Sequence, residues 1–440
     1  MHQLCQDALA IVRRMGKPDL FITMTTNPQW PEVVENLLPG QTVNDRPDLV
    51  ARVFHLKFTE MMIDLQKRQV LGRVVAAIYT IEFQKRGLPH AHVLVILAEN
   101  DKPRTESDID HIVSAEIPDA LIDPELFATV KRCMLHGPCG TKVSPNRWQN
   151  LKCCNSSTKP AGECKDKYPR PFQDETTLND DGFPQYHRRD DGRTVTVRGA
   201  ELDNRWVVPY NCHLTKKYDC HINVEVCNSV QAVKYLYKYV YKGHDRAAVQ
   251  MGEDVDEIKL YLDGRYVSAS EACWRLFSLR LHSEKPNVMR LMFHLPNQQS
   301  VVFEENEIVA QVLARGPPCT QLTAWLDLNR HDQYARQFLY HDIPQHYTWK
   351  SAGVEKCWVR RSNHRQTFPT VSRLYSASPS SGERYFLRRM LTVVKGATSF
   401  EALRTVDDVL CPTFQDACRT LGLLDDDTEW HRAMQEATQT

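Results

Sequence analysis

The chain has no run of about 18 consecutive apolar residues, the length a helix needs to cross a bilayer, so no membrane partner is expected. It also lacks a charge surplus, since 55 Lys and Arg balance 55 Asp and Glu. A nucleic-acid partner must therefore be met by local basic surface rather than by net charge. No G-x-x-x-x-G-K-[ST] phosphate loop occurs, which excludes a nucleotide-driven motor within these 440 residues. No internal repeat is present. The opening segment, MHQLCQDALAIVRRMGKPDLF, lacks the n-region and long apolar core of a signal peptide. It reads as an amphipathic helix running directly into a strand, as inside a domain, so Met1 is not expected to be the biological start.

What the chain has is ordinary globular stock, 42% apolar and 25% charged, in a length sufficient for two or three domains. It is also rich in cysteine. Fourteen cysteines without a secretory signal point to a reducing compartment, where metal binding is favoured over disulfides, and five of them fall between positions 133 and 164.

Local patterns divide the chain. DLFITMTTNPQW (19–30) is a short β-rich run stopped at Asn27-Pro28, and 48–70 repeats apolar residues at helical spacing. VVAAIYTIEF (74–83) and HAHVLVIL (90–97) read as two strands joined by QKRGLP, an antiparallel hairpin. HINVEV (221–226) alternates like a half-exposed strand. SVQAVKYLYKYVYKG (229–243) is expected to be a helix capped by Gly243.

Two constellations carry chemistry. His90 and His92 stand at i and i+2 of a strand, so their imidazoles share one face, an arrangement suited to one divalent metal. Glu82, at the end of the preceding strand, is positioned to face them across the hairpin. Two imidazoles and a carboxylate leave coordination positions open, and mixed N and O ligands suit Mg²⁺ or Mn²⁺ held jointly with a phosphate oxygen. A pair of satisfied surface histidines would give the same spacing. The second constellation is KYLYKYVYKG. At about 100° per residue, Tyr239 falls about 40° from Tyr235, with Lys242 and Lys238 at about −20° and −60°. Tyr237 and Tyr241 lie on the opposite, apolar side. Neighbouring lysines lower the cost of forming the phenolate that a tyrosine nucleophile needs. An amphipathic helix of packing tyrosines is the alternative.

The order FITMTTNP, EFQKRGLPHAH, KYLYKYVYKG resembles the replication-initiator (Rep) domain of Helitron rolling-circle transposases, within the HUH endonuclease superfamily. SASEACWRLFSL, HLPNQQSVVF and ASPSSGERYFLRRML resemble the segment that joins this nuclease to a helicase. The resemblance implies an α+β fold: a five-stranded antiparallel sheet flanked by helices, with the histidine strand central and the tyrosine helix beside it. It implies that His90 and His92 bind the catalytic metal, with Glu82 as third ligand, and that Tyr235 and Tyr239 are paired nucleophiles acting on single-stranded DNA at transposon ends. Thr25, Thr26 and Asn27 are expected to be structural or DNA-positioning. The expected division is 1–130 and 176–245 for the nuclease, 131–175 for a Cys/His zinc-binding insertion, and 246–440 for a mixed, mostly helical connecting region. The helicase that normally follows is lacking, so a fragment or degenerate copy, with a helicase supplied elsewhere, is expected. Nuclear residence follows from the same resemblance.

In the cysteine cluster, His136 and Cys139 form an H-x-x-C pair, and Cys164 with Cys153 or Cys154 completes a tetrahedral Zn²⁺ set, Cys154 being preferred and Cys133 a rival. Free thiols in a loop are the alternative. Lys85 and Arg86, beside the histidine strand, are candidate DNA contacts. Trp358, Arg360 and Arg361, from a basic stretch interleaved with tryptophan, are others. A loop anchored by core tryptophans would look the same. His221, Asn223 and Glu225 share a strand face that either lines the DNA groove or is simply amphipathic. Three functions follow: a tyrosine-dependent nicking and joining enzyme, a non-catalytic zinc-containing DNA-binding remnant, and a metal-dependent phosphodiesterase using water.

Overall fold

The computed structural model describes residues 2–83, 87–139, 164, 166–178, 184–227, 267–299, 317–351, 356–361 and 370–423. The chain forms two compact units, residues 1–285 and 286–440. The first unit includes a helix, Ala269–Leu276, and a strand, His282–Lys285, from the stretch 246–440.

In the first unit, helix α1 (His2–Met15) ends at Gly16, whose φ of +95° is the left-handed conformation that glycine adopts at no steric cost. The strands are β1 (Leu20–Thr25), β2 (Val74–Phe83), β3 (Pro89–Leu97), β4 (Ile222–Val226) and β5 (His282–Lys285). They form one five-stranded antiparallel sheet in the order β4-β1-β3-β2-β5, with the histidine strand β3 at its centre. The sequence-based hairpin 74–83/90–97 is present, with β3 starting one residue earlier at Pro89.

Alternation decides which face is core. Leu20, Ile22 and Met24 of β1, Ala91, Val93 and Val95 of β3, and Ile222, Val224 and Val226 of β4 are buried in one hydrophobic cluster. Helix α2 (Pro47–Ile63) supplies Phe54, Phe58 and Met61 to it, and α5 (Ala269–Leu276) supplies Trp274. The intervening residues of each strand face the other way. There α1 packs against β2. The remainder of that face carries the polar residues described below.

Helices α3 (Pro124–Cys133) and α4 (Cys212–Tyr218) pack together beside the sheet. Leu126, Val130, Met134, Cys139, Cys164, Trp206 and Tyr210 build a smaller second core. The cysteine segment therefore has hydrophobic support where it is described.

The second unit holds α6 (Gln321–His331), α7 (Glu383–Met390) and α8 (Phe414–Thr420). It also contains a parallel pair, β6 (Val288–Leu291) with β9 (Val371–Leu374), and a hairpin, β7 (Tyr347–Lys350) with β8 (Cys357–Arg360). Its core includes Trp325, Tyr340, Tyr347 and Trp358. Among the described residues no helix is long and apolar enough to cross a membrane.

Candidate metal centres

The face of the sheet opposite α2 carries rows of polar side chains in register. Asn223, Thr23, His92, Thr80 and His282 stand opposite one another across β4, β1, β3, β2 and β5. The next row places Thr25, His90 and Glu82 side by side. This row arises because all three strands are antiparallel and each contributes an outward position of its period-2 alternation.

The two imidazoles lie with ring centroids 4.5 Å apart and nearly perpendicular. Thr25 Oγ1 is 2.7 Å from His90 Nδ1, and Thr23 Oγ1 is 3.3 Å from His92 Nδ1, so a hydroxyl from β1 braces each ring on its Nδ1 side. Phe21 stacks on His92 with the ring planes 10° apart. Glu82 Oε2 lies 3.7 Å from His92 Nε2. Burial, then the neighbouring His92 and His221, pushes the His90 imidazole down to about 3, which keeps it neutral and able to act as a ligand.

The three side chains are neighbours but not yet a closed ligand set. Among the described residues, the group of His, Cys, Asp or Glu whose ligand atoms all lie within 4.8 Å of one another is a different one: His136, Cys139 and Cys164. Cys164 Sγ is 3.3 Å from His136 Nε2, close to the spacing of about 3.5 Å expected between N and S ligands on a tetrahedral zinc. His136 stacks on Tyr168 at 4.3 Å, its amide donates to the Trp206 carbonyl, and both cysteines are buried. The donor set and its burial suit a structural zinc. Cys133 stays outside this group, with its thiol against Arg132.

Other sequence-based candidates are placed as follows. Tyr235, Tyr239, Lys238, Lys242, Lys85, Arg86, Cys153 and Cys154 lie outside the described residues. Thr26 and Asn27 tie β1 to its surroundings: Thr26 Oγ1 donates to the Pro89 carbonyl, and Asn27 Nδ2 to that of Asp219. His221, Asn223 and Glu225 share the face of His90 and His92. Their common face was legible; its orientation was not. Trp358 is buried in the second unit with its indole N–H on the Gln321 carbonyl, so the reading as a core anchor describes its setting. Arg360 lies over the Tyr334 ring, and Arg361 Nε donates to the Pro344 carbonyl.

The sequence alone does not mark His282 and Glu284 as site residues. His282 Nδ1 is 3.2 Å from Thr80 Oγ1 and its Nε2 is 2.7 Å from Glu284 Oε2, which extends the polar row to the sheet edge. The available signal was an H-x-E alternation on an extended segment, which is weak without its pairing partner.

Residues 1–95 match the family described as Helitron helicase-like domain at N-terminus. The N-terminal segment is Helitron helicase-like. The matched stretch contains Thr23, Thr25, Glu82, His90 and His92, and relates this chain to proteins of Helitron transposons. No curated protein matches the sequence.

Proposed function

We propose that this Helitron-related chain is an HUH-type endonuclease and strand transferase that cleaves single-stranded DNA at transposon ends through a covalent phosphotyrosine. The observation that carries the reading is the placement of His90 and His92 on the central strand and Glu82 on the adjoining β2, together on the polar face of the sheet, within the segment that matches the Helitron family.

The donors fit a catalytic divalent ion: two neutral-capable imidazoles and a carboxylate, braced by threonine hydroxyls. Mg²⁺ or Mn²⁺ bound there supplies Lewis-acid charge at the scissile phosphate. Tyr235 or Tyr239 attacks phosphorus through its phenolate oxygen, with Lys238 and Lys242 favouring the anion. The new bond joins the tyrosine oxygen to phosphorus, the bond from phosphorus to O3′ breaks, and a proton restores the 3′-hydroxyl. The product is a 5′-phosphotyrosine, whose conserved bond energy allows the second tyrosine or a 3′-hydroxyl to accept the strand. Lys85, Arg86, Arg360 and Arg361 are the proposed DNA contacts, with Trp358 anchoring the strand of Arg360 in the core. His136, Cys139 and Cys164, with Cys154 as fourth ligand, hold a structural zinc in the same proposal. A helicase supplied elsewhere and a nuclear setting belong to it too.

The test is a denaturing gel of the purified chain with labelled single-stranded oligonucleotides and Mn²⁺. A labelled band at protein mass, absent in Tyr235→Phe/Tyr239→Phe, supports the reading. Cleavage without an adduct points to a phosphodiesterase using water. A zinc-containing DNA-binding remnant, which the His136/Cys139/Cys164 cluster favours as second reading, would bind these oligonucleotides without cutting them.

A further inference from the structure

The sheet face opposite the histidines has a cavity of its own. It holds about 280 Å³, just under the roughly 300 Å³ at which small-molecule sites usually begin, and lies between α2 and the β2/β5 edge. Phe58 and Met62 of α2 and Tyr79 of β2 line its apolar side, with the Phe58 and Tyr79 rings edge to face at 4.9 Å. Lys67, Arg280 and Lys285 line its exposed side.

The charge in this cavity is not neutralised internally. Lys285 Nζ donates to Gln66 Oε1 at 2.8 Å, and none of these three cations has a carboxylate partner among the described residues. Glu284 is the acidic residue of the lining, but its carboxylate accepts from His282 on the other face of β5. Alternation explains this: Ser283 and Lys285 point to the cavity side opposite Tyr79 and Ala77, whereas His282 and Glu284 point away. Burial raises the Tyr79 hydroxyl, which meets Ser283 and feels Arg280, so a neutral donor stands between the rings and the cations.

An apolar, aromatic wall next to three cations that have no carboxylate partner among the described residues matches a ligand with a planar ring at one end and a dense anion at the other. We propose that this cavity binds a nucleotide, with the base against Phe58, Met62 and Tyr79 and the phosphate on Lys67, Arg280 and Lys285. A free nucleotide and one unpaired nucleotide of a DNA strand share this chemistry. The strand source rests on the nuclease reading; the free-nucleotide source does not.

The experiment is calorimetric titration of the full chain with dAMP, deoxyadenosine and inorganic phosphate, followed by displacement of a fluorescent dAMP derivative by a short single-stranded oligonucleotide. dAMP should bind more tightly than either fragment, and Lys67→Glu/Arg280→Glu should weaken it by at least about tenfold. Thr59→Trp, which fills the cavity without changing charge, should abolish binding while circular dichroism stays that of the parent. His90→Ala should leave dAMP affinity unchanged, so loss of nicking and loss of this site are separable. Displacement by the oligonucleotide identifies the strand as source; no displacement identifies the free nucleotide. Failure of dAMP to bind, equal binding to the charge-reversed variant, or binding no tighter than phosphate would overturn the proposal.

Discussion

Thr25 Oγ1 and His90 Nδ1 meet at 2.7 Å across β1 and β3, although 65 positions separate them in the chain. The contact orients the imidazole so that its other nitrogen is the one presented to a ligand. Thr25→Val removes the hydroxyl and keeps the shape. It should lower Mn²⁺ affinity and nicking by about 10- to 100-fold while the melting midpoint stays within a few degrees. Calorimetric Mn²⁺ titration beside a thermal melt checks this; unchanged metal affinity would show that the threonine is only packing.

Glu82 lies 3.7 Å from His92. Glu82→Gln retains volume and hydrogen bonding but removes the negative donor, so Mn²⁺ binding should weaken by at least about tenfold. His92→Ala should weaken it further. Nicking assays at saturating and limiting Mn²⁺ separate lost metal affinity from lost chemistry: excess metal should restore the glutamine variant in part.

The His136, Cys139 and Cys164 cluster should copurify about one zinc per chain, measured by elemental analysis. Cys164→Ser or Cys139→Ser should remove most of it and lower the melting midpoint of the first unit, because buried thiols lose their shared ligand. A metal-free wild-type chain with an unchanged melt would leave the cysteines as plain core residues.

Glu116 is buried and accepts from the Arg189 amide at 2.7 Å and from Arg189 Nε at 2.9 Å, with His187 Nε2 at 3.6 Å. Burial alone would raise its carboxyl, but the Arg189 and His187 bonds outweigh that and hold it well below the usual range. The Glu116 bond, against burial and with help from Asp110, raises the His187 imidazole. The raised histidine stabilises the fold fully below its ordinary 6.5 and loses that contribution as pH climbs through its folded value. The depressed glutamate contributes above its ordinary 4.5 and loses it on acidification. Both contributions are present between those values, so the melting midpoint should fall from pH 6 to pH 8. In His187→Gln this decline should flatten; an identical slope would rule the pair out as its source.

Asp64 is fully buried, 2.7 Å from Lys217 Nζ and 2.5 Å from the Tyr218 hydroxyl, with Arg68 also bonded to it. Asp64→Ala strands the buried Tyr218 hydroxyl and leaves Arg68 and Lys217 only their bonds to Glu60, and should cost about 3 kcal/mol, roughly 5–10 °C in the melting midpoint of the first unit. Differential scanning calorimetry reads it directly.

Much of this was legible locally. The strands at 74–83 and 90–97, the helix beginning near 48 and the shared face of His90 and His92 follow from backbone periods of 2.0 and 3.6, which each short stretch expresses unaided. The pair His136 and Cys139 was legible for the same reason, being three residues apart. Cys164 joins them only where the chain returns to the small core around Trp206.

Pairing lay beyond the sequence. That Thr25 faces His90, and that Asn223, Thr23, His92, Thr80 and His282 form one row, depends on which strands adjoin and in what register. His282 lies 190 positions from His92, and no local pattern connects them. Its place follows from burying Trp274 and, just before β5, Leu281 against the apolar faces of the other four strands, because a shift of one residue in any of those four would expose its apolar set. The sequence by itself determined which side chains share a face of each strand; tertiary structure decided which faces meet, since register is set by burial summed over the entire sheet.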